Sequence, residues 1–231
     1  MASIAAKLQQ VRARIAAACA AAQRPVQSVT LLAVSKTFGA DAVCEAHAAG
    51  QHAFGENRVQ EALAKRSALA DLQPPIEWHL IGPLQGNKAR EAAAAFDWVH
   101  SVDRLTIAER LSAQRPPGLP ALQVCLQVNL SGEASKSGAA PADALALARA
   151  VALLPNLRLR GLMSIPAPTT DFAAQRAAHH ALRELLVALH ADGLALDTLS
   201  MGMSADLEAA IAEGATIVRV GSAVFGQRKG N

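Results

Sequence analysis

Short runs of branched apolar residues alternate with alanine- and leucine-rich stretches along the whole of this 231-residue sequence. The runs have the length and the β-branched content of strands that are buried on both faces. There are eight of them, at residues 29–35, 52–56, 77–82, 97–102, 122–129, 157–164, 198–202 and 216–221. No linker or shift in composition divides the series, so residues 1–231 are predicted to form a single domain.

The segments between the runs have apolar residues at helical spacing, and several end at a glycine, which is common just past a helix C-terminus. The clearest helical patterns are residues 40–50, 57–69, 105–114, 142–154, 172–193 and 205–214. Strand-then-helix units repeated in this way predict an α/β fold, a single (β/α)8 barrel of the TIM type. A doubly wound open sheet is the alternative, but the G-x-G-x-x-G turn that would favour it is missing from LLAVSKTFG, residues 31–39.

The alanine-rich first 25 residues precede the first predicted strand. Ile4, Leu8, Val11 and Ile15 recur there at helical spacing, which predicts an extra amphipathic helix before the barrel. The segment also contains arginine and no acidic residue, so a transit peptide is the alternative interpretation. No apolar run in the chain approaches the roughly 18 residues of a membrane span, and no membrane partner is expected.

The cysteines and the charge balance restrict the setting and the partners. Cys19, Cys44 and Cys125 are far apart in the sequence, which favours a reducing compartment, with the cytoplasm as the default, and no metal site. The formal net charge is only +3, the basic residues are scattered, and the sequence has no tyrosine and five phenylalanines. A nucleic-acid partner is therefore not expected.

A (β/α)8 barrel carries its functional groups at the carboxyl ends of its strands. Polar residues stand in or just after every predicted strand, and they are Lys36, Asn57, His79, Ser101, Asn129, Ser164, Ser200 and Arg219. Serine and asparagine are common at such positions as helix caps, so the two cationic residues are the stronger candidates for a site.

Lys36 is predicted to lie at the mouth of the barrel, because it shares the parity of Leu32 and Val34 along the first strand. A partly desolvated ammonium group loses its charge more easily than an exposed one, and a neutral amine can form a Schiff base with an aldehyde. The alternative is an ordinary lysine that extends into solvent.

The loops after the seventh and eighth strands are rich in small residues, as in barrels that bind phosphate at this position. They contain Ser200, Gly202, Ser204, Gly221 and Ser222. Ser204 is assigned as the N-cap of the helix that follows it, whereas Gly221 and Ser222 open a last short helix and have no such structural explanation. A reactive lysine opposite a phosphate site predicts a phosphorylated aldehyde, and pyridoxal phosphate is the obvious one.

Two other segments are weaker candidates. NLSGEASKSG, residues 129–138, lacks the glycine that a P-loop needs before Lys136 and Ser137, and it is interpreted as a flexible loop whose lysine can reach the barrel mouth. His179 and His180 lie inside a long helix without partners at metal-ligand spacing, so they are expected on the surface.

Several motifs also carry a family resemblance. AVSKTF, FGENRVQEA, WHLIGPLQGNK, VHSVDR, VNLSGEASKSG, GLMSIP and MGMSADLEAAIAEGATIVRVGSAVFG occur in this order over nearly the whole chain. Together they resemble the pyridoxal phosphate homeostasis protein family. The resemblance implies a fold-type III barrel that binds pyridoxal 5′-phosphate, similar to the N-terminal domain of alanine racemase, without an established catalytic activity.

The resemblance also implies roles for individual residues. Lys36 would hold the cofactor as an internal aldimine, and Ser200, Gly221 and Ser222 would hold its phosphate group.

The ring of the cofactor has two further implied neighbours. Arg219, in VRVG, would face the pyridine nitrogen, and Asn57, in GEN, would lie beside the ring. Arg58 stands where an aromatic residue is expected in many relatives, at the rim of the site.

Two classes of function remain, a racemase-like enzyme and a protein that binds, buffers and delivers the cofactor. Racemases that resemble this barrel use a tyrosine from a second subunit as a second base, and they carry a further β-domain, whereas this sequence has no tyrosine and ends after the barrel pattern. We therefore expect pyridoxal phosphate homeostasis in the cytoplasm, by a monomer whose partners are apo forms of enzymes that use the cofactor. Lys88 and Lys136 are alternative attachment points.

Overall fold

The computed structural model describes residues 2–133 and 137–226, in which eight parallel strands close into a barrel. The strands are β1 (Thr30–Val34), β2 (Ala53–Glu56), β3 (Glu77–Leu80), β4 (Trp98–Val102), β5 (Leu122–Gln127), β6 (Leu157–Met163), β7 (Thr198–Ser200) and β8 (Ile217–Val220). Each strand pairs with the next one in the sequence, and β8 pairs with β1. The predicted (β/α)8 barrel is confirmed, and the doubly wound open sheet is excluded.

Helices follow the strands on the outside of the barrel. In the described part of the chain they are α1 (Ile4–Ala21), α2 (Ala40–Ala48), α3 (Val59–Ala68), α4 (Ala89–Ala95), α5 (Leu105–Gln114), α6 (Ala144–Ala152), α7 (Phe172–Ala191), α8 (Leu207–Ala212) and α9 (Ser222–Phe225). Helix α4 is not among the clear sequence patterns, because its buried face consists only of alanines and shows no contrast with the rest of the helix.

The predicted N-terminal helix is present as α1, and it packs against α8 and α9. Its buried residues include Leu8, Val11 and Ile15, three of the four that predicted it. Just after the helix, the Arg24 guanidinium donates hydrogen bonds to two carbonyl oxygens around α8. These contacts cover the outside of the barrel next to the last two strands.

The strand side chains alternate between the barrel interior and the helix layer, as parallel strands covered on both faces require. In β1, Leu31 and Ala33 pack in the large core under the helices, whereas Leu32 and Val34 belong to a smaller cluster inside the barrel. This alternation brings Lys36, with the same parity, to the mouth of the barrel.

The expectation for one of the two neighbouring histidines of α7 is wrong. His179 is fully buried, and its Nε2 lies 3.0 Å from Oδ2 of Asp206. It shares the buried face of α7 with Gln175 and Leu182, at the spacing of one helix stripe. The side chain of His180 is 52% exposed, as expected for a surface residue.

Two further features bear on the setting of the protein. Among the described helices, none combines the length and the apolar character that crossing a bilayer would require. The three cysteines are free thiols, with Cys19 and Cys125 buried and Cys44 exposed.

Candidate functional site

A cavity of about 360 Å³ opens at the carboxyl ends of the strands. Five of the six predicted site residues line it, namely Lys36, Asn57, Arg219, Gly221 and Ser222. Apolar side chains complete the wall, among them Phe38, Ile81, Ile165 and Met203. The structure therefore brings together residues from the ends of β1, β2 and β8, as the barrel prediction requires.

Ser200 is the predicted site residue that is not among the residues lining this cavity. Its side chain is fully buried in the barrel interior, and its hydroxyl oxygen lies 2.8 Å from both Arg219 and Nδ1 of His100. The Ser200 hydroxyl is thus held by His100 and Arg219, and its contact with a phosphate group stays a prediction. The parity of the short strand β7 turns this serine inward, where it supports Arg219.

The backbone on both sides of Lys36 is fixed by one helix. Lys65 of α3 donates a hydrogen bond to the carbonyl oxygen of Ser35 (2.7 Å), and the N–H of Thr37 donates to Oε1 of Glu61 (2.5 Å). Thr37 has φ of 69°, a left-handed conformation that is unfavourable for a β-branched residue and needs such support. Lys36 itself is half-buried at the cavity wall.

A buried ion pair anchors this support. Nζ of Lys65 lies 2.7 Å from Oε1 of Glu56, and these side chains are 6% and 0% exposed. Burial raises the pKa of Glu56 above its ordinary value, although hydrogen bonds from Lys65 and Ser35 act in the opposite direction. Lys65 also pairs with Glu61 at 2.9 Å, so one buried cation joins β1, β2 and α3 beneath Lys36.

Ser204 lies in the cavity wall and is not the N-cap that the sequence suggested. Helix α8 begins three residues later, and the Ser204 hydroxyl lies 3.2 Å from the hydroxyl of Ser222. Asp206 holds this loop, because its Oδ1 accepts a hydrogen bond from the Met203 N–H (2.6 Å) while its Oδ2 lies next to His179. The result is a pair of hydroxyl groups, from the loops after β7 and β8, at one side of the cavity.

Two glycines allow close approach of the backbone around the cavity. Gly202, just after β7, has φ of 89°, and an added Cβ would lie 2.5 Å from the Cβ of Ala210. A Cβ on Gly82, just after β3, would lie 2.2 Å from the carbonyl oxygen of Asn57. The close approach at Gly82 fixes the backbone of Asn57 beside the cavity.

Arg219 is a buried cation at the base of the cavity, with 4% of its surface exposed. Its guanidinium donates to the carbonyl oxygen of Ser200 (2.5 Å), to the hydroxyl of Ser200 (2.8 Å) and to the carbonyl oxygen of Ser164 (2.8 Å). Burial lowers its pKa to about 10, and the charge of nearby Asp206 opposes that shift. Three of its five N–H groups are thus used to join strand ends, and the guanidinium remains charged at neutral pH.

A second cavity of about 680 Å³ adjoins the first, and Asn57 lines both. Arg58 and Lys88 lie in its wall, together with Arg104. Arg58 is exposed, in agreement with its expected place at the rim. Attachment of a ligand at Lys88 remains a prediction, and Lys136 lies outside the described residues.

Sequence reasoning missed the residues that hold the site from behind, of which Lys65, Asp206 and His100 are examples. Each has a partner outside its own helix or loop: Lys65 contacts Ser35 and Glu56, Asp206 contacts His179, and His100 contacts Ser200. No local motif marks these contacts. His179 could have been found from its place on the apolar stripe of α7.

Comparisons with known proteins identify a matching family and similar structures. Residues 6–229 match the family described as alanine racemase, N-terminal domain. Among solved structures, PipY of Synechococcus elongatus with pyridoxal phosphate bound is similar at 44% identity and a TM-score of 0.86, over 97% of this chain and 100% of that chain. Alanine racemase of Clostridium difficile, at 13% identity and a TM-score of 0.71 over 88% of this chain and 54% of that chain, shows a shared fold alone.

A curated relative extends the match over the whole sequence. The pyridoxal phosphate homeostasis protein of Pseudomonas aeruginosa is 64% identical over 228 residues, which cover 99% of this chain and 97% of the relative. Because the identity is this high and both chains are covered almost end to end, this chain belongs to the pyridoxal phosphate homeostasis protein family, within the larger family of alanine racemase N-terminal domains.

Proposed function

We propose that this protein binds pyridoxal 5′-phosphate in the cavity at the barrel mouth, and that it stores and delivers this cofactor in the cytoplasm. The observation that carries the proposal is the chemistry of one cavity wall, where an amine, a buried guanidinium and a pair of hydroxyl groups converge. A volume of about 360 Å³ lies in the range of small-molecule sites. The structure of PipY with pyridoxal phosphate bound supports the same ligand.

Each group in the cavity matches one part of the cofactor. Lys36 would hold the aldehyde group of the cofactor through a nitrogen–carbon bond, formed with loss of water. The hydroxyls of Ser204 and Ser222, next to the small backbone of Gly221, donate hydrogen bonds to the phosphate. Ser204 takes the role that the sequence gave to Ser200.

The remaining two groups act on the ring. Asn57 lies beside it, and Arg219 donates a hydrogen bond to the pyridine nitrogen. When bound, the cofactor supplies a ring that accepts electrons best with its nitrogen protonated. The Arg219 guanidinium can only donate and repels a second positive charge, so it keeps this nitrogen unprotonated and favours binding over catalysis.

The hydroxyl pair gives a first test of ligand and placement. Ser204→Ala and Ser222→Ala should each weaken binding of pyridoxal phosphate by about tenfold, because a hydrogen bond to a charged group is lost. Binding of pyridoxal, which has no phosphate, should change little. Affinities can be measured by fluorescence or calorimetry, with Ser28→Ala as the control, since the Ser28 hydroxyl donates to Pro25 outside the cavity. Equal losses for both ligands would mean that the serines do not contact the phosphate.

Delivery gives the second test, with apo enzymes that use pyridoxal phosphate as the partners. The cavity is bordered by the exposed side chains of Ile165 and Met203, so a bound ligand has a way out. Protein loaded with the cofactor and freed of excess should restore the activity of an apo enzyme while a scavenger removes free cofactor. Retention of the cofactor without any recovered activity would argue against delivery.

A weak racemase-like enzyme is the alternative function. The chain contains no tyrosine to act as the second base of a racemase. Deuterium exchange at the α-carbon of alanine in heavy water, followed by NMR, distinguishes the two functions. We expect no exchange above the background rate of free cofactor, and rapid exchange would favour the enzyme.

Sedimentation of the loaded protein should show a monomer.

A further inference from the structure

A row of side chains crosses the barrel interior from the cavity to the opposite end. The Arg219 guanidinium lies 2.8 Å from the hydroxyl of Ser200, and this hydroxyl lies 2.8 Å from Nδ1 of His100. On the other side of the ring, Nε2 of His100 lies 2.9 Å from Nδ1 of His79. The row ends where Nε2 of His79 lies 2.7 Å from Oε1 of Glu77, the first residue of β3. Ser200, His100 and His79 are buried, whereas the side chain of Glu77 is 49% exposed. We call these five residues the interior chain.

His100 decides how the interior chain can be arranged. Burial lowers the pKa of His100 well below its ordinary value, and the charge of Arg219 acts in the same direction. A neutral imidazole has a single N–H group. His100 therefore donates either towards His79 or towards Ser200, and the direction of the whole chain follows from this choice.

Glu77, at the exposed end of the interior chain, determines which of the two hydrogen-bond directions is present. A hydrogen bond from His79 lowers the pKa of Glu77, so its group is a carboxylate at neutral pH and can only accept. Nε2 of His79 must then carry a hydrogen. If His79 is neutral, its Nδ1 accepts from His100, and Nδ1 of His100 accepts from the Ser200 hydroxyl.

In this arrangement every donor has an acceptor, from Arg219 to the carboxylate. The Ser200 hydroxyl donates a hydrogen bond to Nδ1 of His100, and its oxygen accepts one from the Arg219 guanidinium. The guanidinium is thereby oriented at the base of the cavity.

We infer that Glu77, His79 and His100 are positioning residues for Arg219, and that the Glu77 carboxylate, at the far end of the barrel, fixes the hydrogen-bond direction in which the Ser200 oxygen is presented to the guanidinium. The effect on the ligand rests on the proposed function, whereas the direction of the interior chain does not. The inference adds a connection between the cavity and the opposite face of the barrel, where Glu77 meets solvent.

Other charged groups face both ends of the interior chain. At the exposed end, Arg160 of β6 acts on Glu77 and is itself paired with Asp197 at 2.7 Å, and the Trp98 ring stacks on His79. At the cavity end, Cys125 and Asp206 face Arg219.

These groups keep their charge states near neutral pH. Burial raises the pKa of Cys125 to about 12, so its thiol is neutral. Burial disfavours the ionised form of Asp206, but hydrogen bonds from His179 and from the Met203 N–H outweigh it and lower its pKa, so it is charged. The Glu77 carboxylate is thus the group whose charge sets the direction of the interior chain.

The direction can be tested on the ligand-free protein. With histidines labelled by nitrogen-15, long-range NMR correlations at neutral pH should show hydrogen on Nε2 and none on Nδ1 in both His79 and His100. Hydrogen on Nδ1 of His100 would overturn the assigned direction. This result does not depend on whether the protein binds pyridoxal phosphate.

The connection to the ligand can be tested with Glu77→Gln. Glu77 is half exposed, so the fold should tolerate the change, while the amide of glutamine can either donate to or accept from Nε2 of His79, so that the direction is no longer fixed. Nitrogen-15 correlations of the variant should then show hydrogen on Nδ1 in a fraction of His100, and the affinity for pyridoxal phosphate should fall by roughly threefold.

Asp197→Asn is the matched control, since it removes the same charge at the same end of the barrel outside the interior chain. It should retain the wild-type pattern of histidine N–H groups and the wild-type affinity. An identical pattern and affinity in Glu77→Gln and wild type, or equal changes in both variants, would overturn the inference. A wild-type protein without any bound cofactor would contradict the proposed function instead, and the NMR result would still stand.

Discussion

Lys36→Ala is expected to abolish covalent attachment of pyridoxal phosphate. The wild-type protein, incubated with the cofactor, should be yellow, and borohydride should fix the cofactor permanently on the peptide that contains Lys36. In the alanine variant the amine is missing, so the visible band and the fixed label should both disappear. The cavity keeps its serine hydroxyls and Arg219, so weaker, reversible binding of the cofactor should remain.

Lys88→Ala is the control for this experiment. Lys88 lines the adjoining cavity, and its ammonium lies 3.2 Å from a carboxylate oxygen of Glu91. Its replacement should leave the label on Lys36 unchanged, as measured by mass spectrometry of the peptides. A label found on Lys88 or Lys136, or one that persists in Lys36→Ala, would show that the site is placed wrongly.

The place of Lys36 could be predicted because two simple rules determine it. Side chains alternate along a strand, and the carboxyl ends of barrel strands meet at one face. Leu32 and Val34 point into the barrel as the parity requires, and Lys36 follows them to the cavity. The same reasoning brings Asn57 and Arg219 to the same wall.

The wall formed by the loops after β7 and β8 could be predicted only in part. Gly221 and Ser222 line it as expected, whereas Ser204, which the sequence assigned as a helix cap, lines it and Ser200 does not. Strand β7 has three residues, and the serine at its end still points into the barrel, whereas the loop beyond it turns back over the cavity. The length of a short strand and the path of its loop depend on tertiary contacts, such as that between Asp206 and His179, 27 positions apart, which no local pattern reveals.

The interior chain lay beyond sequence reasoning for a different reason. His79 was noted as a polar residue within a strand, but its partners His100 and Glu77 gave no signal of their own. The hydrogen bond between His100 and Ser200 joins residues that are 100 positions apart. Such contacts follow from the register of a closed barrel, which is known only once all eight strands are in place.

Arg219→Met is expected to destabilise the whole barrel as well as the site. The guanidinium satisfies the carbonyl oxygens of Ser200 and Ser164 in the barrel interior, and methionine offers them no donor. A buried acceptor without a partner costs roughly 1–3 kcal/mol. The Ser164 carbonyl oxygen is such an acceptor, whereas the Ser200 carbonyl oxygen keeps the hydrogen bond from the Ser164 N–H at 3.3 Å. Together with the two lost bonds to Ser200, this should lower the free energy of unfolding by about 2–4 kcal/mol.

Arg219→Lys is the matched variant for this prediction, because it retains the charge and part of the donor set. Urea denaturation should show an intermediate loss for lysine, and the melting temperature of the methionine variant should fall by roughly 10 °C for a chain of this length. A loss below about 1 kcal/mol in Arg219→Met would show that these acceptors find other partners.

The same measurement bears on function, because a residue that holds three strand ends together presents its remaining N–H groups to the cavity from a fixed position. A mobile cation there could accommodate a protonated ring nitrogen by moving away, whereas one that is held by Ser164 and Ser200 cannot do so without breaking the hydrogen bonds that stabilise the fold.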